Sequence, residues 1–106
     1  MPELWANYLA TAMKHYILFY EVTPDYLEKR QPHRDTHLRL LRQLADEGSL
    51  IMAGAYADPA DGAALIFRGD SADVAESFAR MDPYVASGLV TKWWVREWTV
   101  AVGSSL

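Results

Sequence analysis

The hydrophobic pattern of this chain changes period several times, and each change marks an element. HYILFYEV, residues 15 to 22, is an apolar and aromatic run of strand length. TPDYLEKR follows as a helical stretch, with Thr23 the expected N-cap and Pro24 the first helical residue. Pro32 interrupts that helix or opens a new one. In HRDTHLRLLRQL, residues 33 to 44, positions 37, 40, 41 and 44 share one helical face, and three of the four are leucine. The helix runs to about Glu47 and stops at Gly48, which suits a left-handed position.

SLIMAGAYA, residues 49 to 57, predicts a second strand, with Gly54 marking a bulge or a close approach by another group. DPADG, residues 58 to 62, is dense in turn signals. AALIFRG is a third strand, so the second and third strands are expected to form a hairpin. Ser71 is the expected cap of a helix, SADVAESFARM, with Val74, Ala75, Phe78 and Ala79 on its apolar stripe. DPYVASG, residues 82 to 88, leaves that helix, because Asp82 precedes Pro83 and is biased away from helical geometry. LVTKWWVREWTVAV then predicts a long last strand.

The order strand, helix, strand, strand, helix, strand is the ferredoxin-like α+β pattern. It implies a four-stranded, mainly antiparallel sheet with two helices on one face. In the last strand Trp94, Trp98 and Val100 fall on one face and Trp93, Val95 and Ala101 on the other. Both faces are therefore apolar, and the one the helices leave bare calls for a partner. A second copy of the chain, sheet against sheet, is the economical solution, so a homodimer is expected. Residues 14–102 form the expected domain and 103–106 a frayed tail. Residues 1–13 are an N-terminal extension in which Leu4, Trp5, Tyr8 and Leu9 can share one side of a short helix.

Composition narrows the function classes. The 106 residues are 51% hydrophobic and 23% charged, a mix typical of a globular protein, and fit one domain. The formal charge of -4, with no basic run, argues against nucleic acid and against an anionic membrane surface. With no cysteine, thiolate catalysis, disulfides and cysteine metal sites are excluded. No apolar run reaches membrane-spanning length, and MPELWANYLATAM lacks the basic start and apolar core of a secretory signal. A cytoplasmic location is the expectation.

Chemistry centres on His37, which lies on the leucine side of its helix. It is either a core histidine bonded to a carbonyl or a general acid or base. Arg34, three residues earlier, is its helical neighbour and is suited to an anionic ligand, though a solvated charge would look the same. Asp35 and His33 fall off the stripe. Asp82 is either local turn chemistry or the carboxylate that fixes the tautomer of His37. The pair His33 and His37 lacks the glutamate of a zinc-binding helix, so no metal is expected. Phosphate-cradling glycine motifs and a nucleophile elbow are absent as well.

Two stretches together resemble the YCII-related (YciI-like) family. LEKRQPHRDTHLRLLRQLADEGSLIMAGAYA resembles its R-x-x-H-L, leucine-rich helix, G-x-L and A-G-P pattern. AESFARMDPYVASGLVTKWWVREW resembles its D-P-Y/F-x-x-A-G-L/V and aromatic strand. The resemblance implies a dimeric α+β barrel of ferredoxin-like subunits and an active-site His–Asp pair in a cavity. The motif histidine falls on His37 and the aspartate on Asp82, while Arg34, Gly54, Pro83, Tyr84 and Gly88 match further positions. Ala55 departs from the usual proline, and Ser87 separates an alanine and a glycine that are usually adjacent.

The reading that follows is a small enzyme without a cofactor, isomerase- or lyase-like, acting on a small cyclic or aromatic organic molecule. His37 moves a proton and Asp82 orients it, while Arg34, Tyr84 and Gly54 contact the substrate. The alternative is a dimer that binds a small ligand, or serves as an accessory protein, without catalysis.

Overall fold

The computed structural model describes residues 13–104. Its elements are β1 (Lys14–Val22), α1 (Tyr26–Lys29), α2 (Gln31–Asp46), β2 (Leu50–Ala55), β3 (Gly62–Gly69), α3 (Asp73–Met81), α4 (Pro83–Ala86) and β4 (Val90–Trp98). The expected short helix at Leu4 to Leu9 lies outside the described residues, as do the last two residues of the expected tail.

The strands form one sheet in the order β2-β3-β1-β4, every neighbouring pair antiparallel. This is the ferredoxin-like arrangement read from the element order. Register sorts the side chains, because successive residues of a strand point to opposite faces. Tyr16, Leu18 and Tyr20 of β1 face Phe67, Leu65 and Ala63 of β3, and all six are buried. The helices cover this face: Phe78 of α3 packs on Phe67 at 5.8 Å between ring centroids, and α2 lies against β2. The other face carries Ile17, Phe19, Ile66, Trp94 and Trp98. Phe19 and Trp94 stack there at 5.3 Å, with none of the described helices over them.

Several boundaries differ from the sequence expectation. The first helical stretch is one turn, starting at Tyr26 with Asp25 rather than Thr23 at the N-cap position. Thr23 instead donates its backbone N–H to Leu89, tying β1 to the start of β4. Pro32 opens a new helix at its first turn, where a missing N–H does no harm. The register shift in the hairpin falls between Leu50 and Met52, whereas Gly54 pairs regularly with Ala64, so the bulge is not at Gly54. Ala72 holds the N-cap position of α3, although the Ser71 hydroxyl accepts a bond from the Asp73 N–H at 3.3 Å. The last strand ends at Trp98, which leaves Val100 and Ala101 beyond the sheet. DPYVASG is not a plain exit, since four of its residues form α4.

Glycine is required at two kinds of place. Gly48 and Gly88 end helical segments with φ of 84°. At Gly62 a Cβ would meet the Tyr20 carbonyl oxygen at 2.6 Å, so only glycine lets β3 lie this close to β1.

Candidate active site

The site lies where the second turn of α2 meets α4. Asp82 ends α3 in an extended conformation, as its position before Pro83 demands, and at once becomes the N-cap of α4. Its carboxylate accepts the Tyr84 backbone N–H at 3.1 Å. The cap fixes the carboxylate, and α4 is carried against α2 by the packing of the two helices. There Asp82 Oδ1 lies 2.8 Å from His37 Nδ1, and Oδ2 accepts the Tyr20 hydroxyl at 2.7 Å. Asp82 is fully buried, so an ionised carboxylate needs these donors to offset its lost hydration.

Three donors on one carboxylate decide the imidazole tautomer. With Tyr20 O–H and Tyr84 N–H both donating, Asp82 is an acceptor, and His37 Nδ1 carries the hydrogen. That leaves Nε2 as the basic nitrogen, and among the described residues nothing hydrogen-bonds it. The ring plane is also held. Tyr84 stacks on it with centroids 3.7 Å apart and planes 7° apart, and Phe78 meets it edge-on at 6.1 Å. Burial and the adjacent Asp82 charge push the Tyr20 hydroxyl far above the ordinary tyrosine range, so it stays a donor at any physiological pH.

His37 lines a cavity of about 150 Å³. Leu41 and Leu65 supply apolar wall, Arg30, Arg34 and Tyr84 supply polar groups, and Gly54 contributes from β2. Burial raises the Tyr84 hydroxyl above its usual pKa, against a smaller downward pull from the Arg34 and Arg30 charges, so it too is a neutral phenol. The arrangement is that of an oriented base at the wall of a small, half-apolar chamber.

Residues 13–99 match the model of the YCII-related domain. The chain belongs to the YCII-related family. Protein YciI of Escherichia coli O6:H1 is 36% identical over 83 residues, covering 70% of this chain and 85% of that protein. An uncharacterized protein of Haemophilus influenzae is 32% identical over 84 residues, 71% of this chain and 86% of its own length. Among solved structures, 5-chloro-2-hydroxyhydroquinone dehydrochlorinase (TftG) of Burkholderia phenoliruptrix, in complex with 2,5-dihydroxybenzoquinone, superposes with a TM-score of 0.71 at 22% identity. That likeness covers 82% of this chain and 95% of the other. A nipsnap family protein of unknown function from Agrobacterium tumefaciens gives 0.54 at 20% identity, over 89% and 93%. Both structures share the fold.

In this YCII-related chain the five residues expected to form a site, His37, Asp82, Arg34, Tyr84 and Gly54, lie together. His37 and Asp82 are bonded, and Arg34, Tyr84 and Gly54 line the cavity. A side chain at Gly54 would point to the opposite sheet face and meet nothing within 4 Å, so it is the backbone that borders the chamber. Ala55, in place of the usual proline, lines the cavity as well. His33 is not in the wall, and no group of three or more potential metal ligands occurs among the described residues. No described helix is long and apolar enough to cross a membrane. Sequence reasoning missed Tyr20 and Arg30. Tyr20 follows Tyr16 and Leu18 on the inward stripe of β1 and looked like plain core, but its hydroxyl at the end of that stripe needed a partner.

Proposed function

We propose that this YCII-related protein is a small enzyme that uses His37 and Asp82 for acid–base chemistry, without a cofactor, as an isomerase or lyase. Its substrate would be a small cyclic or aromatic molecule. One observation carries the reading: an imidazole with Nδ1 fixed on a buried carboxylate at 2.8 Å, its other nitrogen unbonded among the described residues, lining a cavity. A structural histidine has no need of an open chamber or of a carboxylate with three donors. In the proposed reaction Nε2 removes a proton from the substrate, and Asp82 stabilises the imidazolium that forms. Arg34 and Tyr84 hold the substrate's oxygen atoms. A cavity of about 150 Å³ is the size that admits a benzene ring. The dehydrochlorinase of the same fold is named for a one-ring substrate and holds a one-ring compound, which supports the size class and the lyase reading.

The open sheet face supports a homodimer. Phe19, Trp94 and Ile17 stand on it with none of the described helices above, and Met52 and Trp98 are exposed. A second copy would cover this face, and light scattering should return twice the mass of one chain. A single-chain mass at micromolar concentration would refute it.

The chemistry is tested by incubating the protein in deuterated water with one-ring hydroxy and keto compounds and following loss of C–H signals by NMR. Exchange or turnover should fall about 10²–10⁴-fold in His37→Gln. Equal rates in His37→Gln and the wild type would sink the acid–base reading. Tight binding with no exchange in any compound would favour a non-catalytic ligand-binding protein.

A further inference from the structure

The cavity wall is electrostatically one-sided, although the protein as a whole is acidic. Arg30 and Arg34 both line it, and no aspartate or glutamate does. Asp82 sits behind the imidazole with both its oxygens already engaged. No carboxylate among the described residues forms an ion pair with Arg30 or Arg34. Arg30 rests over the Tyr26 ring at 5.2 Å, which holds its guanidinium at the chamber without neutralising it.

Two buried polar atoms in the same wall are also unsatisfied. By hydrogen-bond geometry Arg30 Nε and Tyr84 Oη have no partner among the described residues, although the Arg34 guanidinium lies near enough to act on the Tyr84 hydroxyl, and Tyr84 is only 1% exposed. A buried donor left unbonded is destabilising, so unsatisfied groups are rare in native structures and each calls for an explanation. Of the four such atoms among the described residues, these two belong to one chamber and both can donate, while His15 Nε2 and Thr23 Oγ1 lie elsewhere. Arg34 is a third donor group beside them.

We infer that the chamber takes a one-ring organic anion, its carboxylate or phenolate oxygen held by Arg30, Arg34 and the Tyr84 hydroxyl, with the ring against Leu41 and Leu65. This rests on the proposed acid–base reading for its chemical context but names the charge and anchor of the ligand. Arg30 is a binding residue that the motif around His37 does not contain. A guanidinium matches the planar oxygens of a carboxylate, and the neutral Tyr84 phenol adds a donor without adding charge. A neutral ligand of the same shape would leave two guanidiniums desolvated and unpaired, so the site discriminates by charge as well as by size.

The test is calorimetric binding of benzoate and 4-nitrophenolate, against neutral benzamide and phenol, to the wild type and to Arg30→Gln and Arg34→Gln. At least one anion should bind more tightly than its neutral counterpart, and which one does identifies the oxyanion. Each arginine variant should weaken that anion about ten- to a hundred-fold, the value of a charge-assisted bond. Neutral probes should bind the variants as they bind the wild type, which also shows that the variants fold. If neither anion exceeds its neutral counterpart, or if both arginine variants bind it unchanged, the inference is overturned. The assay involves no turnover. Anion binding through Arg30 with no His37-dependent chemistry would therefore remove the acid–base reading and leave the anion site standing.

Discussion

The Tyr84 ring lies face to face with the His37 imidazole, 3.7 Å between centroids and 7° between planes. Tyr84 is two residues from Asp82, whose carboxylate fixes the same imidazole through Nδ1. One short turn thus sets both the plane and the in-plane rotation of the histidine. The Asp-Pro-Tyr sequence has a role for each residue: Asp82 orients and caps, Pro83 forces the extended backbone before it, and Tyr84 stacks.

Separating the stack from the hydroxyl is the first prediction. Tyr84→Phe keeps the ring and removes a buried oxygen with no geometric hydrogen-bond partner among the described residues, so thermal unfolding should be unchanged or slightly raised. Tyr84→Ala removes a fully buried ring and should destabilise by about 3–5 kcal/mol. A large loss of stability in Tyr84→Phe would mean that the hydroxyl has a structural partner.

Asp82→Asn tests the carboxylate. The amide is nearly isosteric, but its NH₂ must face one of three donors: Tyr20 O–H, His37 Nδ1–H or the Tyr84 N–H. Urea unfolding should show a loss of about 1–3 kcal/mol. The imidazole should also lose its fixed tautomer, visible as a changed nitrogen-proton pattern in NMR. Retention of the wild-type tautomer and stability would mean that Asp82 does not orient the imidazole.

Alkaline pH probes Tyr20. Burial first, and then Asp82, raise its pKa above the unfolded value of about 10. Below that value both states are protonated, and the stabilisation from this group is complete. Above it the unfolded chain gives up the Tyr20 proton while the folded protein keeps it. Stability therefore falls as pH rises, by up to about 1.4 kcal/mol per pH unit for one tyrosine. In Tyr20→Phe the fall above pH 10 should be shallower by about that amount, with Tyr84, also raised, contributing part of what remains. An unaltered slope would contradict the buried Tyr20–Asp82 bond.

Gly62→Ala should disturb the site from outside it. The new Cβ would sit 2.6 Å from the Tyr20 carbonyl oxygen and 2.7 Å from the Tyr56 ring. Tyr56 can swing, being well exposed, but the β1 backbone cannot without moving Tyr20 on Asp82. A loss of about 1–3 kcal/mol is expected, together with a shifted His37 NMR signal. Gly88→Ala is the control: its Cβ meets nothing, and only the left-handed backbone is strained, at about 1–2 kcal/mol. Its His37 signal should not move.

What the sequence determined by itself is the part that depends on neighbours along the chain. The apolar runs of β1 and β3, the leucine stripe of α2, Gly48 and the proline at the start of α2 are local signals, and they yielded the element order and so the topology. Where two local signals competed, the outcome was decided elsewhere. Thr23 looked like a cap, but its backbone is taken by Leu89 across the sheet, and VAV after Trp98 looked like strand but pairs with no described strand. The site belongs to the tertiary structure. His37 and Asp82 are 45 residues apart and Tyr20 and Asp82 are 62 apart, so no periodicity connects them. A histidine on a leucine stripe and an aspartate before a proline each have a satisfactory local explanation. Only the packing of α2 on α4 over β1 leaves one carboxylate between three donors, and only that packing collects Arg30, Arg34 and Tyr84 around one chamber. A hydrogen-bond partner for a buried group is chosen by distance in space, and folding sets that distance.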